Sequence, residues 1–373
     1  MADYFSRDLL INIFSRLGAK QLCQLKCLSK EWLHTISIPY FKKQRRDQSK
    51  KRPSLSLISS SRNHSFRSQL IHLSSIDSSN FVHEYEVIAE IGEGNFVCSS
   101  GLDLLCFYQT GYEGEIWICN PITKKTLALP VLSDFAGKAC LGYVSSTNEY
   151  KIVVSLEGRV DDSDDWNLEA DYEELLSFNI LTLKLEETSV VGSWRDLLSC
   201  TQYSGTGHQP VHINGFIYWL AFAKDNTYSR DQMTILEMNL ENEEVNTLCC
   251  PNGCNFELSH LAEINGHLCF VHNKTDGGDM LNVWMLKDRE SEGWCLEYSV
   301  EVHESAYNFT ILGYLPRNNE STGDILIQSY KGDLFCYETD TQKFKELESL
   351  NKVEFEWCGL YYESFFSIGM PGN

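Results

Sequence analysis

The chain has 373 residues, of which 43% are hydrophobic and 12% aromatic. This is enough apolar material for a packed core, and it excludes a disordered chain. The longest apolar run, from Gly215 to Ala223, is far shorter than the roughly 20 residues that cross a bilayer. No signal peptide is evident, and the fourteen cysteines lack paired spacing. We therefore predict a soluble intracellular protein, cytoplasmic or nuclear or both, with no membrane partner.

The charge is divided unevenly along the chain. Residues 1–70 hold 14 basic and 4 acidic groups, a balance of +10, and residues 71–373 hold 17 basic and 48 acidic groups, a balance of −31. An acidic body of this size repels phosphate backbones, so we expect no nucleic-acid partner for it. It favours a basic protein partner, although strong acidity also serves solubility.

The first forty residues have helical periodicity. One apolar stripe follows Ser6, a candidate N-cap, and Asp8, which complements the helix dipole. Gly18 is predicted to end this helix in a left-handed conformation. The first stripe consists of Leu9, Leu10, Ile13, Phe14 and Leu17, and a second of Leu22, Leu25, Leu28, Trp32 and Ile36. Such short helices make a small core, so we expect part of the apolar surface to dock on a partner. The alternative is a helical cap on the larger domain.

The order of residues from Phe5 to Trp32, with Ser29-Lys30-Glu31-Trp32 and Phe41, resembles the F-box of plant F-box proteins. It departs from the family pattern at Ser6 and Gly18, where prolines are usual. The resemblance implies binding to a Skp-type adaptor and, through it, to a cullin. It assigns the apolar contacts to Phe5, Leu9, Leu10, Ile13, Phe14 and Leu17, together with Asp8. Leu22, Leu25 and Trp32 are expected to hold the small helical core beneath this adaptor-binding surface.

From Lys42 the chain is rich in basic residues and serine. A basic run of this kind can be a nuclear-import signal, but it is more often a solvated helix end. We expect three regions: a small all-α F-box domain over residues 1–44, a basic linker over 45–70, and a second domain over 71–373.

The second domain contains short strand-like runs that recur. One unit pairs an apolar strand with a turn at Asn120, Asn179, Asn239, Asp288 and Asp340, separated by 59, 60, 49 and 52 residues. Another unit, with Asn-Gly at Asn214 and at Asn265, repeats after 51 residues. Periods near 50 are typical of a kelch-like β-propeller with one four-stranded blade per repeat. We therefore predict a mainly β fold with about six blades.

This region resembles the F-box-associated interaction domain of a large plant family that includes S-locus F-box proteins and defence-related regulators. The stretch from Cys119 to Pro130 and the stretch from His212 to Trp219 carry the resemblance. The strand GLDLLCFY carries it too, although Asp103 stands where a glycine is expected.

Motifs for catalysis or metal binding are incomplete. The segment from Ile91 to Phe96 lacks the rest of a kinase signature. Cys23 and Cys27, the cysteines at 249, 250 and 254, and the histidine pairs 208/212 and 267/272 lack a complete zinc pattern. A calcium loop that begins at Asp162 lacks its glycine. We expect no catalytic residue, no cofactor and no metal.

An acidic stretch from Arg159 to Leu176 is predicted to be an inter-strand loop. Trp166 and Tyr172 are candidates for substrate binding, because exposed aromatic residues often anchor interfaces. The alternative is a solvated loop.

The resemblance implies a non-catalytic substrate receptor of a Skp–cullin–F-box (SCF) ubiquitin ligase. Its target protein would be held near the ubiquitin-charged enzyme, which raises the effective concentration of the target. Two alternatives remain: an F-box and propeller interaction protein that acts outside a ligase, and a propeller enzyme with a site in its channel.

Overall fold

The structure is a computed structural model. It describes residues 6–60, 68–73, 85–90, 96–99, 102–109, 115–132, 137–160, 173–184, 193–200, 202–223, 233–254, 258–274, 280–289, 293–302, 309–317, 322–347 and 357–364.

Four helices form the N-terminal part, which we call the helical module (residues 7–49). They are α1 (Arg7–Ser15), α2 (Ala19–Leu28), α3 (Lys30–Ser37) and α4 (Pro39–Ser49). Pro39 occupies the first turn of α4, where its missing N–H costs no hydrogen bond. Ser29 caps α3, because its Oγ accepts from the Glu31 N–H at 3.2 Å.

The rest of the described chain forms 25 strands in six antiparallel sheets, which we number as blades in chain order. Blade 1 contains β1 (Ser54–Ser60), β2 (Ser68–Leu73), β3 (Tyr85–Glu90) and β25 (Trp357–Tyr361). Blade 2 contains β4 (Phe96–Ser99), β5 (Leu105–Gln109), β6 (Ile116–Asn120) and β7 (Lys125–Ala128). Blade 3 contains β8 (Gly137–Val144), β9 (Glu149–Val160), β10 (Glu173–Lys184) and β11 (Arg195–Cys200).

Blade 4 contains β12 (Tyr203–Thr206), β13 (Val211–Ile213), β14 (Phe216–Ala223), β15 (Met233–Asn239) and β16 (Val245–Cys249). Blade 5 contains β17 (Ser259–Ile264), β18 (His267–Lys274), β19 (Met280–Asp288) and β20 (Gly293–Glu301). Blade 6 contains β21 (Phe309–Pro316), β22 (Gly323–Ser329), β23 (Leu334–Glu338) and β24 (Lys343–Glu346).

The six sheets form a closed ring. Their innermost strands contact one another in the order β25, β4, β8, β13, β17 and β21, and β21 then contacts β25. The ring closes within blade 1, because β25 pairs with β1 along Ser54–Ile58. The predicted architecture, a small helical N-terminal part followed by a mainly β propeller of about six blades, is therefore confirmed.

Blades 3, 4, 5 and 6 each bury both of their faces against neighbouring blades, as the two-residue period of a strand allows. On β9, Ile152 and Val154 pack with blade 2, whereas Val153 packs with blade 4. On β14, Trp219 packs with blade 3, and Leu220 packs with blade 5. A blade could not bury both faces alone, so the blades stabilise one another.

The Asn-Gly pairs that repeat in the sequence are tight turns at equivalent positions. Asn214 and Gly215 join β13 to β14, and Asn265 and Gly266 join β17 to β18. All four residues have positive φ values, from 49° to 86°, as a type I′ hairpin turn requires. The Asn214 side chain donates to the Gly266 carbonyl at 3.3 Å, so the two turns also connect neighbouring blades.

The longer repeat follows the third strand of each blade. Asn120, Asn239 and Asp288 are the last residues of β6, β15 and β19. Asn179 instead lies inside β10, and Asp340 lies in the turn after β23. The last residue of β10 is Lys184 and that of β23 is Glu338. These strand ends are therefore separated by 64, 55, 49 and 50 residues along the chain, so the period varies in the structure as it does in the sequence.

The region predicted to be a linker, residues 45–70, differs from that expectation. It contains the end of α4, the whole of β1 and the start of β2. In Ser54–Ser60, Leu55 and Ile58 are completely buried. The serine-rich composition concealed this strand, because Ser54 and Ser56 are buried in it beside the apolar residues.

Candidate functional site

The helical module has its own small core. Phe14 packs edge-on against Trp32, with 5.5 Å between the ring centroids. The buried members of the core are Ile11, Phe14, Ala19, Leu22, Ile36 and Phe41. Ile122 from the turn after β6 also packs against this cluster, so the propeller completes the core of the module.

Ser6 and Gly18, which replace prolines of the F-box pattern, keep a proline-like backbone. Their φ values are −61° and −62°, close to the value that a proline ring fixes. The Ser6 Oγ accepts from the Leu9 N–H at 3.3 Å, which confirms the predicted N-cap. Gly18 does not end α1 in a left-handed conformation as predicted. It is the N-cap of α2, and its N–H donates to the Gln21 Oε1 at 3.1 Å.

The module exposes large apolar side chains. Five of the nine such side chains among the described residues lie on its four helices. Leu9 is 45% exposed and Ile13 is 42% exposed, one helical turn apart on α1. We call these five residues the apolar helical surface: Leu9, Ile13, Leu28, Leu33 and Tyr40. Leu9 and Ile13 are neighbours on one face of α1, and adjacent exposed apolar side chains are typical of an interaction site.

The residues predicted to bind the adaptor divide into three groups in the structure. Leu9, Ile13 and Asp8 are exposed on α1. Leu10, Leu17, Leu25 and Trp32 are partly buried against the core, whereas Phe14 and Leu22 are fully inside it. Phe5 lies outside the described residues. Their contact with an adaptor stays a prediction, and the structure makes Leu9 and Ile13 the most accessible members of the set.

The carboxylate of Glu363 joins the module to the propeller. Its Oε2 accepts from the Ala19 N–H at 3.2 Å and lies 3.4 Å from the Arg45 Nη2. Its Oε1 accepts from the Ser54 hydroxyl at 3.4 Å. Because α2 has no acidic residue in its first turn, Glu363 supplies the negative charge that stabilises a helix N-terminus. One side chain therefore connects α2, α4 and β1.

Arg46 forms a second connection, to blades 2 and 3. Its Nη2 lies 3.3 Å from the Asp103 Oδ2 and donates to the Tyr150 hydroxyl at 3.1 Å. Its guanidinium lies 3.9 Å above the centre of the Tyr143 ring, a cation–π contact. Burial and the Asp103 carboxylate raise the pKa of Tyr150, whose hydroxyl donates to that carboxylate. Asp103 is 3% exposed, so its charge is neutralised inside this network.

Sequence reasoning missed Arg45, Arg46 and Glu363, and it missed what Asp103 does. A signal for Asp103 was present, because it occupies the expected glycine position of the GLDLLCFY strand. Its carboxylate is the partner of Arg46. For Glu363 the sequence contains no such signal, because its partners lie more than 300 residues away.

Two of the histidines considered as zinc ligands, His212 and His272, make structural contacts, and so does His260. The His212 Nε2 accepts from the Tyr143 N–H at 3.2 Å, and the His260 Nε2 accepts from the Ile311 N–H at 3.1 Å. Each bond joins the inner strands of neighbouring blades. Burial lowers the pKa of His212 to about 4 and that of His260 to about 3. The His272 Nδ1 lies 2.9 Å from the Ser259 hydroxyl. Within the described ranges, no group of three potential metal ligands occurs.

The fold and the site define a β-propeller protein with an N-terminal helical module that exposes apolar side chains. Comparison with known families matches residues 5–44 to the F-box domain and residues 49–357 to the F-box associated beta propeller domain. The chain therefore belongs to the plant F-box proteins that carry an F-box associated beta propeller domain.

Relatives in Arabidopsis thaliana agree with this assignment. F-box protein At1g30790 is 25% identical over 341 residues, which cover 83% of this chain and 79% of that protein. F-box protein At3g57590 is 26% identical over 342 residues, which cover 86% of this chain and 77% of that protein. Across four such relatives, the matched region covers 66–80% of their length.

None of the helices in the described part of the chain is both long and apolar enough to cross a bilayer.

Proposed function

We propose that this protein is the substrate-recognition subunit of an SCF-type ubiquitin ligase in the cytoplasm, the nucleus or both. The helical module would dock on a Skp-type adaptor and, through it, on a cullin. The propeller would bind a target protein. The observation that carries the proposal is the apolar helical surface, which the F-box leaves exposed on a folded core. Docking on an adaptor would remove this surface from water. Each Å² of apolar surface buried in this way contributes about 25 cal/mol to the free energy of binding.

The mechanism that we propose is proximity, with no catalytic residue in this chain. A ligase subunit of this kind raises the effective concentration of a target lysine near the charged enzyme. The contacts of Glu363 and Arg46 support it, because they hold the F-box in one orientation on the propeller. A fixed orientation limits the volume that a bound target can explore.

The target would bind on the face of the propeller away from the F-box. The β8–β9 turn at residues 145–148 faces α4, because Asn148 and Lys43 line the same cleft. At the other end of β9, Val160 pairs with Glu173 of β10. Val160 lies about 35 Å along β9 from Glu149 at the usual rise per residue. Trp166 and Tyr172 belong to the range 161–172, outside the described residues, and we retain them as candidate target contacts. The balance of −31 over residues 71–373 favours a basic target.

Co-expression of the full chain with a Skp-type adaptor, followed by size-exclusion chromatography, tests the proposal. The wild type should co-elute with the adaptor, and Leu9→Asp/Ile13→Asp should not, because two carboxylates would be buried without partners at the interface. Both side chains are more than 40% exposed in the free protein, so the double variant should still fold. The matched control is Val131→Asp/Leu296→Asp, which changes two exposed apolar residues of the propeller.

Co-elution that only the F-box variant loses would support the ligase role. Separate elution of a folded wild type would overturn it and favour an interaction protein that acts outside a ligase. Trp166→Ala/Tyr172→Ala should leave adaptor binding unchanged, because these residues belong to target recognition in the proposal.

A further inference from the structure

A cleft of about 990 Å³ lies between α4 and the propeller. Its volume is in the upper range for small-molecule sites. One wall is α4, and the opposite wall consists of the β8–β9, β13–β14 and β17–β18 turns together with Tyr143, Tyr314 and Tyr362. The cleft is separate from the apolar helical surface, and the proposed function makes no use of it.

The α4 wall is basic at helical spacing. Lys42, Arg46 and Lys50 follow one another at i, i+4 and i+8, which places them along one face of the helix, and all three line the cleft with Lys43. At 1.5 Å per residue, Lys42 and Lys50 are about 12 Å apart along the helix axis. The basic run of the sequence therefore lines an enclosed space, in a protein with a net charge of −21.

The acidic groups of the cleft offset this charge only in part. Asp103 is already paired with Arg46 and accepts from Tyr150. Glu263 accepts from the Gly266 N–H, and burial raises its pKa, which makes its carboxyl easier to protonate. Asp47 is exposed on α4. Within the described residues, neither Lys43 nor Lys50 forms an ion pair shorter than 4 Å. The Lys50 ammonium acts on Glu263 at longer range and opposes the rise in the pKa of that carboxyl.

The propeller wall adds hydrogen-bond donors. The His212 Nε2 accepts from two backbone N–H groups, those of Tyr143 at 3.2 Å and Gly215 at 3.3 Å. The proton of the neutral ring is therefore on Nδ1, which has no partner among the described residues. The hydroxyl groups of Ser145, Ser146 and Thr147 line the same space. Lysine ammonium, imidazole N–H and hydroxyl groups are the donors that phosphate oxygens accept from.

We propose that this cleft binds a small molecule that carries two or more phosphate groups. A single phosphate is too short to reach both ends of the basic stripe, whereas a chain or ring of phosphates spans it. The bound molecule would contact α4 and the propeller together, and it would therefore stabilise the docking of the F-box on the propeller.

Isothermal titration of the full chain with inorganic triphosphate at physiological ionic strength tests this proposal without an adaptor. We expect saturable binding at one site, and a rise in the melting temperature with ligand concentration. Lys43→Ala/Lys50→Ala should weaken binding by about tenfold or more, because it removes two charged hydrogen-bond donors from the phosphate oxygens. The matched control, Lys20→Ala/Lys30→Ala, removes the same charge from exposed positions outside the cleft and should leave binding within about twofold.

Three results would overturn the proposal. The first is the absence of saturable binding at millimolar triphosphate. The second is equal weakening by both lysine pairs, which would indicate general electrostatic attraction. The third is tighter binding of an oligoglutamate peptide that competes with triphosphate, which would make the cleft a site for an acidic protein segment.

Discussion

The helical module buries six apolar side chains in its own core, whereas each propeller blade shares its core with the blades beside it. The module leaves five large apolar side chains in water on its four helices. The propeller closes on itself through β25 and β1 and exposes four such side chains over its described residues. The two regions thus use their apolar residues differently: the described part of the propeller buries most of them, and the module leaves a larger share of them exposed.

The largest loss of stability should follow from a substitution that opens the ring of the propeller. Leu360 of β25 is 5% exposed and packs between blades 1 and 6. Leu360→Asp should lower the free energy of unfolding of the propeller by more than about 5 kcal/mol, because it loses apolar packing and buries an unpaired carboxylate. Thermal unfolding followed by circular dichroism measures this loss. Leu296→Asp is the control at a 47% exposed position, and equal losses in the two variants would contradict the role of β25 in closing the ring.

Acid should weaken the propeller through its buried histidines. Burial, with a smaller contribution from His208, lowers the pKa of His260 from 6.5 to about 3. The unfolded chain therefore takes up this proton first as the pH falls. The contribution of neutral His260 to the free energy of unfolding is fully present above about pH 6.5. It is lost as the pH falls towards about 3, by on the order of 4 kcal/mol.

Urea unfolding at a series of pH values tests this effect. His260→Gln keeps an acceptor for the Ile311 N–H but does not titrate, so its stability should fall less steeply with decreasing pH. An unchanged slope would show that His260 is not the titrating group.

The connection between the two regions can be broken at Glu363. Glu363→Ala leaves Arg45 buried without its carboxylate partner, at a cost of about 3 kcal/mol. Burial already lowers the pKa of Arg45, and Glu363 opposes that shift. We expect the module to melt separately from the propeller, and limited proteolysis to cleave faster after residues 50–52. Glu363→Gln, which keeps the size and an acceptor oxygen, should have a smaller effect; a single unchanged melting transition in the alanine variant would contradict the connection.

The smallest effects, and opposite ones, should come from two glycines. A Cβ at Gly142 would lie 2.2 Å from the Leu240 Cδ1 of the next blade, so Gly142→Ala should destabilise the propeller by about 1–3 kcal/mol. A Cβ at Gly18 has ordinary contacts at 3.8 Å, and its φ is −62°. Gly18→Ser should therefore stabilise the module by about 0.5–1 kcal/mol, because serine has fewer unfolded conformations than glycine and its Oγ can cap the first turn of α2. Melting temperatures that move in the same direction would contradict this contrast.

The sequence predicted those features that depend on neighbouring residues. The Ser6 cap and the helical stripes follow from local conformational preferences, and the Asn-Gly pairs at 214 and 265 are visible as a repeat. It did not predict β1 within the supposed linker, because the partner of Leu55 is Leu360, at the other end of the chain. The sequence wrongly predicted that Gly18 ends α1, whereas Gly18 is the N-cap of α2. A glycine between two short helices fits a C-terminus and an N-cap equally well.

The candidate site shows the same limit. The periodicity of α1 identified Leu9 and Ile13, but it could not separate them from Phe14, which belongs to the core. Which apolar residues of α1 are exposed and which are buried depends on how α3 and α4 pack on α1. The basic stripe of α4 was visible as a charge run, whereas the cleft that it lines depends on the turns of three blades.

The position of Glu363 has a consequence for the synthesis of the chain on the ribosome. The F-box is made before the propeller, and the carboxylate that fixes α2 and α4 follows Ala19 by 344 residues. At about 5–20 residues per second, the F-box waits tens of seconds before it can be fixed in place. A chain cut before residue 357 would carry an F-box on an open ring, because β25 would be missing. The orientation of the F-box therefore depends on the synthesis of β25 and Glu363.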